Sequence, residues 1–368
     1  MEYMGKKLKV NTNNSKYNVN AYLGMLKYMR PDGSVTQQIF CDKYLLPVFG
    51  KPDIWGNYSL VVGEGSDIIF TAHHDTVHRK EGLQEPVLYW ENDKMYVKLS
   101  QHEIRKGNAT CLGADCTTGI FIILSMIEAK IPGLYVIHSA EEIGGVGSRG
   151  FVEDNADLLK NYNFVISFDR YGQSEIITHQ SYTQTASVDF AQSLSGILGN
   201  NLIPSPDGLF TDSANYIDHV KECTNIAVGY TGHHTKTEKQ DVTYMFNLIN
   251  KLIKADWSKL VIGEFDPIPV SGRNYWQKYS WTDDGYMGTS SNTVIDQDDY
   301  MCDDTKPYGT GKVTKQNSEI VELYDILDFV DNNSFFIAEL IREQGFSYDY
   351  LMELKKKRHS NVPKAIQF

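Results

Sequence analysis

Apolar residues along this chain fall into short runs and longer periodic stretches, and the two predict different elements. Runs of five or six residues rich in Val, Ile, Phe and Tyr read as buried strands over 58–63, 67–72, 134–138, 164–168 and 225–230. Helical spacing reads as helices over 20–29, 36–48, 117–130 and 242–253, with Ser34 placed to cap the second. Residues 87–90 and 95–97 flank a polar turn and predict a β-hairpin. Further strands are read at 175–178 and 186–190, and a helix at 190–198. The alternation predicts an α/β fold, a mixed and mostly parallel sheet flanked by helices. Beyond about residue 262 the pattern weakens, then turns helical again. A linker-like segment is expected over 263–315 and a small helical C-terminal appendage over 316–368, after a polar arm at 1–18 and a main domain at 19–262.

The predicted strands share a second property: they break off into ionisable residues. The 67–72 strand runs into His73-His74-Asp75, the 134–138 strand into Glu141-Glu142, the 164–168 strand into Asp169, and the 225–230 strand into His233-His234 with Glu238 after it. Before the 117–130 helix, the Gly113-Ala114-Asp115 turn carries one more carboxylate. Adjacent carboxylates leaving a buried strand are costly unless something compensates them, and a bound cation is the usual compensation. In open α/β sheets ligands bind outside the carboxyl ends of the strands, which would gather all of these groups in one place.

The order H-x-D, G-A-D, E-E, D, H-T-x-x-E resembles the co-catalytic di-zinc exopeptidase superfamily, whose members include zinc aminopeptidases and the tripeptidase T and carboxypeptidase G types. The likeness spans roughly residues 20 to 255 and takes in the Asp53…Gly56-Asn57 turn. It implies a zinc-exopeptidase-like fold, with 19–262 as a di-metal catalytic domain. It implies that Asp115 bridges two divalent ions, that His73 and Asp169 complete one site, and that Glu142 and His234 complete the other. Zinc is the expected metal, with manganese and cobalt as alternatives. Glu141 is then the general base, and Asp75 holds the His73 ring through its second nitrogen.

Each residue also has a plainer reading. A lone H-x-D is common by chance, adjacent glutamates usually sit on a solvated helix face, and Asp169 could cap a turn. His233 competes with His234; His234 fits H-T-x-x-E. Asp212, in a T-D-S stretch, could support the site or bond its own turn. Cys116 stands where many relatives have a second Asp, often after a cis peptide bond, and its plainer reading is a small buried hydrophobe. His74, His78 and His138 read as loop or structural residues. The Lys355–Arg358 run reads as a solvated helix end.

Composition narrows the function classes. A net charge of −12 argues against nucleic acid or an acidic membrane surface as partner. No apolar run approaches a membrane span, and the N-terminus lacks the apolar core of a secretory signal. Five cysteines without C-x-x-C spacing read as reduced thiols, so a cytoplasmic setting is expected. Only about 65 residues separate Asp169 from His234, too few for the inserted domain of the carboxypeptidase G and tripeptidase T types. The expectation is therefore an aminopeptidase acting on peptides. The alternatives are a deacylase of small N-acyl compounds on the same site and an inactive metal-binding interaction protein. The C-terminal segment is expected to govern assembly, including homo-oligomers, or access.

Overall fold

The computed structural model describes residues 16–265 except 108, 182 and 200, together with two short paired strands at Glu2–Tyr3 and Lys6–Lys7. The linker-like and helical C-terminal segments expected from the sequence lie outside the described residues.

A seven-stranded sheet forms the centre. Its strands are β1 (Tyr58–Val62), β2 (Ile68–His73), β3 (Gly133–His138), β4 (Phe164–Arg170), β5 (Glu175–Ile177), β6 (Ile203–Ser205) and β7 (Glu222–Ala227). The order across the sheet is β6-β5-β7-β4-β2-β3-β1. The pairs β3–β2, β2–β4, β4–β7 and β5–β6 are parallel, whereas β1–β3 and β5–β7 are antiparallel. The mixed, mostly parallel sheet read from the sequence is thus present. Buried on both faces, β2 and β3 are continuous rather than alternating in hydrophobicity.

The helices of seven or more residues among those described are α1 (Val19–Met25), α2 (Val35–Tyr44), α3 (Ala114–Glu128), α4 (Val146–Asp154), α5 (Val188–Ile197) and α6 (Val242–Lys254). The central one is α3, buried from Ala114 to Met126. Gly119 sets how closely it lies on the sheet: a Cβ there would collide with the Phe168 carbonyl oxygen of β4 and crowd Ala72 of β2. Glycine inside a helix costs roughly 0.5–1 kcal/mol, offset here by close packing that brings the start of α3 over the ends of β2 and β4. Packed on α3, α6 turns Val242, Met245, Phe246, Ile249 and Leu252 inward, the stripe read from the sequence.

Several boundaries differ from the sequence reading. The strand expected at 186–190 is instead the start of α5, because the Ser187 hydroxyl accepts from the Phe190 amide (2.9 Å) and caps a helix. The 20–29 helix stops at Met25, and Tyr28–Met29 pair with Gly82–Leu83 as a small ribbon. The 36–48 helix divides at Leu45 into α2 and a single turn, Leu46–Phe49, with Pro47 in its first turn. Asp115 lies within the first turn of α3 rather than on a preceding loop, and no described peptide bond is cis, including Asp115–Cys116.

The predicted hairpin is present, as Pro86–Glu91 paired with Lys94–Leu99. Its two-residue turn, Asn92-Asp93, has φ of 48° and 62°, the conformation that matches hairpin twist. Lys94–Leu99 also pairs with Lys239–Asp241, so this second sheet ties the hairpin to the chain just after His234.

Candidate active site

At the carboxyl ends of the parallel strands the structure brings together every site residue expected from the sequence. His73 ends β2, in register with His138 at the end of β3. Glu141 and Glu142 follow β3, Asp169 lies near the end of β4, Asp115 opens α3, and His234 follows β7. They line one cleft of about 160 Å³ with Arg170, Tyr171, Asn225, Phe210 and Tyr230. A larger cleft of about 530 Å³, lined by Leu202, Tyr244 and Lys251, holds no comparable cluster among the described residues.

Two triads emerge. One ligand atom each from His73, Asp115 and Asp169 lie within 4.8 Å of one another, and so do those of Asp115, Glu142 and His234. Asp115 belongs to both. Within them, His73 Nε2 is 3.3 Å from Asp169 Oδ1, and His234 Nε2 is 3.2 Å from Asp115 Oδ2 and 3.5 Å from Glu142 Oε2. A buried Glu142 oxygen, Oε1, has no hydrogen-bond partner. Since buried polar groups are nearly always partnered, this orphan and the shared aspartate fit a pair of metal ions. Glu141 belongs to neither triad, although it lines the same cleft.

The supporting contacts are specific. Asp75 is fully buried; its carboxylate faces His73 Nδ1 (3.3 Å) and accepts the backbone N–H groups of Glu141 (3.1 Å) and Glu142 (3.0 Å). One side chain thus orients the histidine and fixes the two-glutamate loop. The Asp53 turn works on the same loop from outside: Asp53 accepts from Asn57, and Asn57 Nδ2 donates to the Gly147 carbonyl. Ala140 and His234 both have positive φ, 55° and 59°. Non-glycine residues in this region carry strain that tends to collect at functional sites.

Glu238 has a role the sequence did not reveal. Buried beneath the site, its carboxylate accepts from the amides of Ala114 (2.6 Å), Leu112 (3.0 Å) and Gly113 (3.4 Å). The start of α3 has no capping side chain of its own, so Glu238 supplies the cap from across the fold and holds Asp115 in place. The signal available was the H-T-x-x-E pattern itself. Asp169 is fixed on four sides: Thr211 donates to Oδ2 (2.9 Å), Tyr230 to its carbonyl (2.8 Å), and Asn225 accepts its amide (3.0 Å), besides the His73 contact.

Electrostatically, the site crowds acids in a dry place. Burial raises Glu142 to about 8, with Asp115 adding to it. Burial also raises Glu141 well above the usual carboxylate range, where nearby His73 opposes the shift and Asp169 reinforces it. Asp212 rises to about 8 by burial, and neither of its oxygens accepts a hydrogen bond; the Ser148 hydroxyl beside it already donates to the Gly145 carbonyl. Burial lowers His234, but the Asp115 hydrogen bond and the Glu142 charge outweigh it and lift the ring to about 9. The same Asp115–His234 bond overcomes burial to hold Asp115 below its usual value.

Arg170 is not free. Its guanidinium meets the Glu175 carboxylate at 2.7 Å and lies over the Tyr171 ring. His233 stacks on Tyr171 rather than joining either triad. His74, His78 and His138 are buried in hydrogen bonds, as structural residues should be.

No protein-family model matches this chain, and neither does any curated protein. Among solved structures it is similar to the TET1 peptidase of Pyrococcus horikoshii, which can assemble into a tetrahedron or a large octahedral shell, at 13% identity and a TM-score of 0.49 over 64% of this chain and 98% of that one. A tripeptidase from Staphylococcus aureus gives 16% identity and 0.49 over 64% and 95%. Aminopeptidase PepT from Bacillus cereus gives 15% and 0.47 over 64% and 96%.

Proposed function

We propose that this protein is a metal-dependent exopeptidase, and specifically an aminopeptidase. The observation that carries the reading is the pair of triads sharing Asp115, with Glu141 beside them in the cleft and outside both. His73, Asp115 and Asp169 would hold one divalent ion, and Asp115, Glu142 and His234 the other. Zinc suits this mixture of imidazole and carboxylate. When bound, such a pair polarises a carbonyl and acidifies a water molecule. The remaining work falls to the chain's own residues. Glu141 accepts the water's proton and returns it to the departing amine, a task suited to a carboxyl whose affinity for protons is raised by burial. Asp75 keeps a proton on His73 Nδ1, leaving Nε2 with its lone pair toward the site.

Polarity supports an N-terminal substrate end. Of the lysines and arginines among the described residues, Arg170 alone lines the cleft, and Glu175 engages it. A substrate's terminal carboxylate would find no available cation there. An α-ammonium would find Asp115, Glu141, Glu142 and Asp169.

The test has two parts. Elemental analysis after zinc reconstitution should give two ions per chain; one or none rejects the paired site. One peptide is then offered free, N-acetylated and C-amidated. Cleavage of the free and amidated forms alone supports the aminopeptidase, and cleavage of the acetylated but not the amidated form reverses the polarity.

A further inference from the structure

One polar side chain in the cleft is used by none of the steps above. Asn225 of β7 is 7% exposed and lines the cleft with both triads. Its Oδ1 accepts the backbone amide of Asp169 at 3.0 Å. The reason is a β-bulge. The β4–β7 register steps from Phe168–Ile226 to Arg170–Ala227, so Asp169 is the extra residue and its N–H falls out of the ladder. A backbone N–H can only donate, so the oxygen of Asn225 must face it, and the orientation of the amide is decided. Its Nδ2 then points elsewhere, with two protons to donate and no partner among the described residues. Nor is Nδ2 among the sealed, unsatisfied atoms, so the small exposed part of this residue opens into the cleft.

We propose that Asn225 is a substrate-binding residue whose Nδ2 donates a hydrogen bond to the scissile carbonyl oxygen of a peptide in this cleft, while its Oδ1 secures the Asp169 bulge. The inference rests on the peptidase reading above. A primary amide nitrogen is a donor only, so it excludes the substrate's ammonium end and selects a carbonyl. Asn225 and Glu141 line the same cleft of about 160 Å³, so one bound peptide can meet both. A fixed donor is worth most when it faces an oxygen that gains charge during reaction.

Two measurements decide it. N225D keeps an oxygen for the Asp169 amide but loses the donor. At full metal occupancy, verified by elemental analysis, its kcat should fall about 10²-fold while KM rises only several-fold. Binding without turnover is read in an E141Q background, by calorimetry, with a peptide and its analogue in which the first carbonyl is reduced to methylene. E141Q should prefer the carbonyl form by several-fold more than E141Q/N225D does. An N225D enzyme with unchanged kcat overturns the proposal. So does a loss of turnover that excess zinc restores, or an equal preference in both backgrounds. A wild-type protein that binds metal but cleaves no peptide sinks the peptidase reading, and the calorimetric comparison then still judges Asn225 by itself.

Discussion

Two buried polar regions lie close together in this fold and differ in completeness. The first surrounds Arg30, which is fully buried yet has no carboxylate bonded to it among the described residues. Its guanidinium donates to the His74 carbonyl (2.9 Å), the Thr117 hydroxyl (2.8 Å) and, at longer range, the Met25 and Tyr28 carbonyls, and it lies over Phe40. Nearby, His78 is bonded by Thr76, Gln84 and the Cys111 carbonyl, and Gln84 in turn donates to the Leu26 and Leu112 carbonyls. The second region is the cleft with the buried ground around it, where Glu142 Oε1, in the cleft wall, and both oxygens of Asp212, outside that wall, have no partner. The closed network braces α1, the end of β2 and the start of α3 against one another. The open one is satisfied only by something that arrives. Buried polarity alone therefore does not tell these two regions apart; the unpartnered carboxylate oxygens do.

The largest effect expected on the open side is catalytic. E141Q should keep its metals and lose about 10²- to 10⁴-fold in kcat, whereas E142Q should lose metal at a chelator concentration the wild type tolerates. If E142Q kept its metals and E141Q shed them, base and ligand would be exchanged.

On the closed side the largest effect is on folding. R30M should destabilise the protein by about 4 kcal/mol in denaturant titration, because several buried carbonyls lose their donor at about 1–3 kcal/mol each. A loss under about 1 kcal/mol would show that the network is less closed than its distances suggest.

A smaller effect concerns acidity. Burial lowers His78 to about 4. The folded protein thus keeps this ring neutral where the unfolded chain, with an ordinary value near 6.5, takes up a proton. Stability from this group is complete above about pH 6.5 and declines as pH falls toward 4, by up to about 3 kcal/mol. Unfolding titrations at pH 7 and 4.5 should show this decline, and H78Q should reduce it; an identical pH slope in H78Q would assign the loss to other groups.

The smallest effect lies away from both regions and sets their scale. Lys130 has φ of 59° at the end of α3, where its amide bonds the Ile127 carbonyl and the Ile131 amide bonds that of Met126, the usual closure around a left-handed residue. K130G should gain about 1 kcal/mol by thermal melt, with kcat unchanged; a lower melting point would mean that the lysine side chain contributes more than its backbone costs.

What the sequence displayed follows the same division. His73, Glu141, Glu142 and Asp169 were legible because each interrupts or directly follows an apolar run, where a charged residue has no cheap explanation. Asp115 was legible as a residue but not as part of α3, since the cap that lets the helix begin so early comes from Glu238, more than a hundred positions away. Asn225 was invisible for a related reason: a polar residue in a strand is unremarkable until a bulge on the neighbouring strand leaves an amide for it to accept. Ser187 misled in the opposite direction, because the apolar residues after it fit a strand as well as a helix until its capping bond is known. Nothing local to Arg30 announces a closed network, since its shorter bonds go to distant groups, the His74 carbonyl and the Cys116 and Thr117 side chains.

The double membership of Asp115 also has a consequence for the order in which the site comes into being during synthesis. The first triad is complete in the chain once Asp169 has been made, and the second must wait for His234, about 65 residues later. At about 5–20 residues per second this is an interval of several seconds. Within that interval comes β7, which fills the sheet between β4 and β5, and only just after it comes Glu238, which steadies Asp115. The shared aspartate is thus among the earliest site residues on the ribosome and among the last to be fixed in position.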